Sequence, residues 1–343
     1  MNLKELSEIL GLSQTTVSRA LNGYPEVSAR TRDRVERAAK EHNYVPSTRA
    51  KALATGKAFA IGHVLPVSSR QEMVNPIFGD FLAGAGETYA ARGYEMLLST
   101  TADASELDVY RSFSARRSVD GVIIHGPRID DARIPLLEEL HLPFAVHGRV
   151  SGWDSPYTWL DVNNRAAFAT ATRHLIGLGH RRIALLNGAE EYDFGLRRRD
   201  GYRLALAEAG LSEDDSICCQ GEMTEAYGYT AAQEALDRPD PPTAVLCSSI
   251  MTALGVRRAL DSRGLVMGRD VSIVTFDDVL SYLRNEGAEA AIFTAMRSSV
   301  RAAGVRLAEM LIDSIECPGR APETELLEAE LVEGGSTGPG PAA

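Results

Sequence analysis

Residues 13–23 read SQTTVSRALNG, and Gln14, Thr15, Thr16, Ser18, Arg19 and Asn22 within them are polar side chains at helical spacing. Their chemistry is that of base-edge recognition. An amide such as Gln14 pairs with N6 and N7 of adenine, a guanidinium such as Arg19 forks onto O6 and N7 of guanine, and threonine offers a hydroxyl and a methyl. The same face would suit a solvated helix in a small docking domain, and spacing alone leaves both readings open. A helix this short needs an apolar stripe, and here the stripe is only Val17, Ala20 and Leu21. Neighbouring elements must supply the rest of the core.

Those neighbours are legible. Leu3, Leu6, Ile9 and Leu10 form a helical stripe, Gly11 breaks it, and Ser13 is a good N-cap for the second helix. Ser28 caps a third helix, with Val35, Ala38 and Ala39 turned inward and Arg30, Arg32, Arg34 and Arg37 outward. Two short helices joined by a glycine-containing turn make a helix-turn-helix, whose second helix enters the DNA major groove.

Charge distribution fits that reading better than total charge does. The 343 residues carry a net charge of -11, which argues against a nucleic-acid partner. Residues 1–57, however, hold ten Lys/Arg against six Asp/Glu, net +4, leaving 26 against 41, net -15, for the remainder. A small basic module is joined to a large acidic one. Cys218, Cys219, Cys247 and Cys317 form no CxxC pair and read as reduced thiols. No secretory leader opens the chain, and no apolar run approaches the roughly 18 residues of a membrane span. A cytoplasmic protein with no membrane partner is expected.

Beyond the third helix, Pro46 ends helical structure, and residues 47–55 (STRAKALAT) form an alanine-rich basic segment too short to hold a helix alone. Such a segment orders on binding, and Leu53, with Ala50, Ala52 and Ala54, would make a wedge for a minor groove. At this point the sequence resembles the LacI family of bacterial transcriptional regulators. The likeness rests on LSQTTVSRALNG, VSARTRDRVERAAKEHNYVP, RAKALATGK, HLIGLGHRRIALLNG and VSIVTFDD, in order along the chain. It implies a repressor that binds an approximately palindromic operator as a homodimer, through Ser13, Gln14, Thr15, Thr16, Ser18, Arg19, Asn22, Tyr44, Arg49, Ala52 and Leu53.

From Ala58 onward apolar strands alternate with helical patterns, the signature of a parallel sheet with helices on both faces. One run comprises AIGHVLP, a helix over 76–92, YEMLLST, a helix about 107–119, GVIIHG and PFAVHG. A second begins with WLDV near Trp159 and continues through a helix over 163–178, RIALLNG, a helix over 196–209, SICCQG, TAVLCSS and VSIVTFDD. AAIFTAM, a helix over 300–315 and TELLEAELVE read as chain crossing back to complete each unit. The expected fold is a small all-α helix-turn-helix domain plus an α/β effector domain of two doubly wound parallel-sheet subdomains, which resembles the periplasmic-binding-protein fold. Expected boundaries are 1–45 for the helix-turn-helix, 46–57 for a hinge helix, 58–337 for the effector domain and 338–343 for a flexible tail. Within the effector domain, subdomain one takes about 58–158 and 290–320, and subdomain two about 159–289 and 321–337.

Two such units bind ligands where their strand C-termini face each other. The resemblance implies Arg198, three residues before Gly201, as the ligand-binding arginine, and Asp277, the first aspartate of VTFDD, as an acceptor for paired hydroxyls. A guanidinium can give two parallel hydrogen bonds to vicinal hydroxyls or a carboxylate. Arg197 and Arg199 are expected to be solvated. Tyr192 and Phe194 could stack on a sugar ring or simply pack the loop, and Phe78 and Trp159 are further candidates that core packing would equally account for. Met223 and Ser249 stand at effector positions where an aromatic residue and an asparagine are commoner, and Asn163 where aspartate is usual. The effector so implied is a small sugar, an alpha-glucoside such as sucrose, maltose or trehalose.

Cofactor and metal are not expected. The GAG at 84–86 lies inside a helix, no Walker loop, GxSxG or HExxH occurs, and His141 and His147 lack further ligands nearby. His63, His125 and His180 read as structural or surface residues. These features speak against an enzyme. The alternative, a solute-binding protein of a sugar transporter, leaves the basic N-terminal module without a purpose.

Overall fold

The computed structural model describes residues 1–21, 23–44, 55–66, 76–101, 105–276, 279–287 and 290–341. They divide into two compact units, Met1–Phe59 with Arg117–Val119, and Ala60–Arg116 with Asp120–Ala343.

The first unit contains α1 (Leu3–Leu10), α2 (Gln14–Leu21) and α3 (Ala29–Glu41). Leu6, Leu10, Val17, Ala20, Val27, Val35, Ala38 and Ala39 form its core, most of them the residues that apolar spacing selects. Local chemistry sets the helix ends. Asn2 and Glu5 make a reciprocal capping box on α1, and Gly11 ends it in the left-handed region at φ 60°. Ser13 and Ser28 accept hydrogen bonds from the N–H groups of Thr16 and Thr31 at 3.0 and 3.2 Å. Two arginines expected to point outward are instead turned onto backbone. Arg34 Nη2 donates to the Leu10 carbonyl at 2.7 Å and Arg32 Nη2 to that of Tyr24 at 3.0 Å. Leu10 ends α1, where the last carbonyls lack intrahelical partners, and Tyr24 lies in the loop after α2, so each cation serves a backbone carbonyl outside its own helix.

The second unit holds two six-stranded sheets. The first contains β1 (Ala60–Pro66), β2 (Glu95–Thr101), β3 (Gly121–His125), β4 (Phe144–His147), β5 (Thr158–Val162) and β11 (Thr324–Leu327), in the order β11-β5-β4-β3-β1-β2. The second contains β6 (Ile183–Gly188), β7 (Cys218–Gly221), β8 (Ala244–Cys247), β9 (Ser272–Phe276), β10 (Thr294–Arg297) and β12 (Glu330–Val332), in the order β12-β10-β9-β8-β6-β7. Every pairing is parallel except that of β12 with β10. Both sheets therefore follow the doubly wound order 2-1-3-4-5 with one strand added at an edge.

Helices α4 (Pro76–Arg92), α5 (Glu106–Arg116), α6 (Arg133–Glu139) and α11 (Val300–Glu316) belong with the first sheet; α7 (Asn164–Gly177), α8 (Asp193–Glu208), α9 (Glu225–Leu236) and α10 (Ile250–Ser262) belong with the second. Helix α4 crosses α11 at Gly84 and Gly304, where an added Cβ would stand 2.1 Å from the Arg301 carbonyl and 2.2 Å from that of Phe81. Backbone contact between helices accounts for the first glycine of the GAG segment. Among the described residues, no helix is long and apolar enough to cross a membrane.

Three strands fall on the other side of the expected subdomain boundary. Strand β5, read as opening the second subdomain at 159, pairs with β4, and β11, placed in 321–337 of the second, pairs with β5. Strand β10, assigned with 290–320 to the first, pairs with β9. An apolar run identifies a strand but not its neighbour, because pairing is a contact between segments distant in sequence. Within the expected flexible tail, Gly338 and Gly340 are held down. The Gly338 N–H donates to Ser272 Oγ at 3.0 Å and the Gly340 N–H to the Leu178 carbonyl at 2.7 Å.

Candidate functional site

In the first unit, α2 presents Gln14, Thr15 and Arg19 to solvent, with Thr16 and Ser18 half-buried. Ser13 is committed to capping, its Oγ 2.8 Å from Thr16 Oγ1. Arg19 Nη1 lies 3.5 Å from Glu26 Oε1, and both side chains are about half exposed. An ion pair of that kind is worth about 0–1 kcal/mol, so a base or phosphate can displace it. Tyr44 packs against the three-helix core, which leaves only part of it for another molecule. Asn22, Arg49, Ala52 and Leu53 lie outside the described residues.

In the second unit, a cavity of about 220 Å³ opens between the C-terminal strand ends of the two sheets. Phe78, Phe81, His125 and His147 wall it from the first sheet, and Phe194, Arg198, Met223 and Phe276 from the second. Asp161 and Asn164, at the β5–α7 crossover, line it as well.

Arg198 is the polar centre of the second wall. It is 5 % exposed. Its Nε donates to Asn164 Oδ1 at 2.8 Å and its Nη1 to the Ser248 carbonyl at 2.8 Å, with Met223 Sδ 3.7 Å from Nη1. The guanidinium carbon is 4.3 Å from the ring centre of Phe276, 4.8 Å from Phe194 and 5.2 Å from Phe168. Aromatic faces attract a desolvated cation, and the planar fork stacks on them. The flanking arginines, expected to be solvated, are paired: Arg197 with Asp193, and Arg199 with Glu190, Glu213 and Asp215. Arg197 pairs with a residue four positions earlier on its own helix, whereas the partners of Arg199 come from the segments on either side of α8, which local sequence does not show.

The first wall is built of neutral rings. His125 meets Phe78 and Phe81 edge-on at centroid distances of 4.7 and 5.0 Å, and His147 lies flat on Phe81 at 4.4 Å. Behind them, His63 Nδ1 is 2.9 Å from His125 Nε2, and His63 Nε2 is 2.9 Å from the Tyr89 hydroxyl. Burial pushes His63 down to about 3 and His147 to about 4, and holds His125 well below the ordinary histidine range, helped there by repulsion from the other two rings. All three imidazoles are therefore uncharged near neutral pH. Burial also lifts the Asp161 carboxyl, against the pull of Arg149 Nε at 2.8 Å. Among the described residues, no cluster of three or more His, Cys, Asp or Glu side chains is arranged to hold a metal ion.

Of the residues singled out from sequence, Phe78, Phe194, Arg198 and Met223 meet at this cavity. Tyr192 does not line it. It stacks on Phe194 at 5.8 Å and carries the Arg128 guanidinium 5.5 Å above its ring. Ser249 is fully buried and caps α10, accepting from the Thr252 N–H at 3.2 Å; its neighbour Ser248 offers a carbonyl to Arg198 instead. Trp159 lies beneath Arg149 at 5.1 Å, off the cavity. Asp277 lies outside the described residues. His125, expected to be structural or surface, is part of the wall. His125, His147 and Phe276 each end a strand, the position that marks ligand contacts in doubly wound sheets; Phe81 and Asn164 carry no such local signal.

The sequence profile of the bacterial regulatory proteins of the lacI family matches residues 2–47, and that of a periplasmic-binding-protein-like domain matches residues 172–337. The HTH-type transcriptional regulator AglR of Rhizobium meliloti (strain 1021) is 48% identical over 341 residues, which cover 99% of this chain and 95% of the relative. Among solved structures, a complex of the transcriptional regulator CelR with cellobiose is similar at a TM-score of 0.72 and 30% identity, over 98% of this chain and 99% of that one. The Lac repressor bound to ONPG in its repressed state is similar at a TM-score of 0.80 and 25% identity, again over 98% and 99%.

Proposed function

Because the chain belongs to the lacI family of bacterial regulatory proteins, we propose that it is a repressor of carbohydrate-utilisation genes whose grip on an operator changes when a small sugar fills the cleft. The observation that carries the sugar reading is the cavity lining: aromatic rings and neutral imidazoles on one wall, and on the other Arg198 bonded to neutral acceptors. A sugar offers apolar ring faces to Phe78, Phe81 and Phe194 and hydroxyls to Arg198, Asn164 and His147. The other charged groups of the lining are paired, Asp161 with Arg149 and Asp193 with Arg197. The CelR complex with cellobiose supports the same ligand class. Overall sequence likeness supports an alpha-glucoside such as sucrose, maltose or trehalose. Asp277 is the proposed acceptor for a hydroxyl pair.

On the DNA side, residues 1–45 form the reading domain, with Gln14, Thr15 and Arg19 at base edges, and residues 46–57 the hinge with Leu53 as wedge. Two copies bind an approximately palindromic site in the cytoplasm, and linking two weak readouts in one dimer raises affinity through effective concentration. Leu97 and Leu98, 36% and 40% exposed on the edge strand β2, support pairing of the effector domains. No catalysis belongs to this role. The test is a thermal-shift screen of the full chain against sucrose, maltose, trehalose, cellobiose and acidic sugars. A ligand at 100 times its Kd adds about 2.7 kcal/mol of stability. Operator titrations with and without each hit follow. Stabilisation by acidic sugars alone would overturn the neutral-sugar reading.

A further inference from the structure

Helix α8 begins at Asp193, and its N-cap residue Tyr192 makes no side-chain cap. A first-turn aspartate is placed to serve the unpaired N–H groups of its own helix. Asp193, 1% exposed, reaches across to the other subdomain instead. Its Oδ2 accepts the Ser151 N–H at 2.5 Å, its Oδ1 is held by Arg197 Nε, and Arg197 Nη2 donates to Ser151 Oγ at 2.8 Å. The backbone joins in at the same place. The Asp193 N–H donates to the Pro127 carbonyl at 2.9 Å, and Arg128 and Tyr192 form an antiparallel bridge.

Pro127 and Arg128 follow β3, and Ser151 follows β4, both strands of the first sheet; residues 192–197 follow β6 of the second. Gly148 at φ 114° and Gly152 at φ 82° flank Ser151, a conformation that side chains resist and that turns this loop's N–H toward α8. Asp193 and Arg197 also line the cavity, so a ligand inside it meets this contact from within.

We propose that Asp193 is a positioning residue that clasps the two walls of the cleft and so governs how long a ligand remains there. The proposal rests on the reading of the cleft as a ligand site, although the contact itself involves protein atoms only. A carboxylate stripped of water is stable only while its donors are in place, and on opening both Asp193 and Arg197 regain hydration. Closed and open forms then differ by a small remainder of large terms, as reversible closure requires.

Amide hydrogen exchange on the full chain tests the clasp without any ligand. In Asp193→Ala, the Ser151 amide exchanges about tenfold faster or more, while amides of β6 keep wild-type rates. Asp193→Asn, which retains one acceptor oxygen and the side-chain volume, falls between them and carries the test if the alanine variant does not fold. Wild-type exchange at Ser151 in a folded variant overturns the clasp. Stopped-flow release of sucrose, maltose and trehalose is the second arm, where both release and association accelerate in Asp193→Ala and the Kd moves less than either rate. Unchanged release beside fast Ser151 exchange overturns the claim about residence time. If none of the three sugars binds wild type, the alpha-glucoside reading fails, and the exchange arm still decides the clasp.

Discussion

On the second wall of the cleft a permanent cation, Arg198, is buried among Phe168, Phe194 and Phe276 and bonded to Asn164 and the Ser248 carbonyl. On the first wall His125 and His147 stand among Phe78 and Phe81 as imidazoles that burial keeps uncharged. One wall presents charge and a fixed fork of donors; the other presents ring faces and neutral donors or acceptors. A cation with satisfied bonds and aromatic faces keeps its charge at any accessible pH, whereas the histidines remain neutral only while the fold excludes water. The two halves of one site should therefore respond differently to mutation and to acid.

The largest expected effect is at Arg198. Arg198→Ala removes the donor fork and leaves Asn164 and the Ser248 carbonyl without their partner, so sugar affinity should fall about 100-fold, roughly 3 kcal/mol. Calorimetric titration measures it, and unliganded operator binding should persist. Arg198→Lys keeps the charge without the fork and should recover only part of the loss. A variant that responds to sugar at wild-type concentrations would remove the second wall from the site.

Acid should act on the first wall. The folded-state values of His63 and His147, about 3 and about 4, lie below the unfolded value near 6.5. The unfolded chain takes up protons first as pH falls, so this contribution is complete above about 6.5 and is lost progressively toward 4 and 3, on the order of 3–5 kcal/mol per ring. Thermal midpoints recorded from pH 7.5 downward should drop in that window, and His147→Gln should flatten the drop. A midpoint as steep in His147→Gln as in wild type would assign the acid response to other groups.

The smallest effect belongs to Phe78, half-buried at the cavity edge. Phe78→Ala should weaken sugar binding five- to tenfold, about 1 kcal/mol, through loss of a stacking face, with little change in thermal midpoint. A loss as large as that of Arg198→Ala would erase the contrast between the walls.

The parts of the molecule readable from sequence are those whose chemistry is local. Ser13 and Ser28 cap helices three residues ahead of them, and Gly11 ends one. Arg198 was legible because its spacing to Gly201 matches a recurring pattern, and Phe194 because it stands four residues earlier on the same segment. Ser249 was misread for the complementary reason. A serine after a strand suits a ligand contact and a helix cap equally, and here the α10 N-terminus takes it. Arg199 read as solvated because its acidic partners come from segments that only folding gathers around α8, whereas the partner of Arg197, Asp193, stands four residues earlier on the same helix and was overlooked.

By itself, then, the sequence determined the three-helix basic module, the alternation of strands and helices, and the arginine at the heart of the cleft, since caps, apolar periods and short motifs act over a few residues. Tertiary structure alone decided which strands share a sheet, with β5, β10 and β11 each across a crossover from where their sequence neighbours suggested. It also decided that Phe81, His125 and His147 face Arg198 across one cavity, that Asn164 bonds Arg198, and that Asp193 reaches Ser151. Those contacts join residues tens to more than a hundred positions apart, and their energy depends on strand order and burial, which no local pattern encodes.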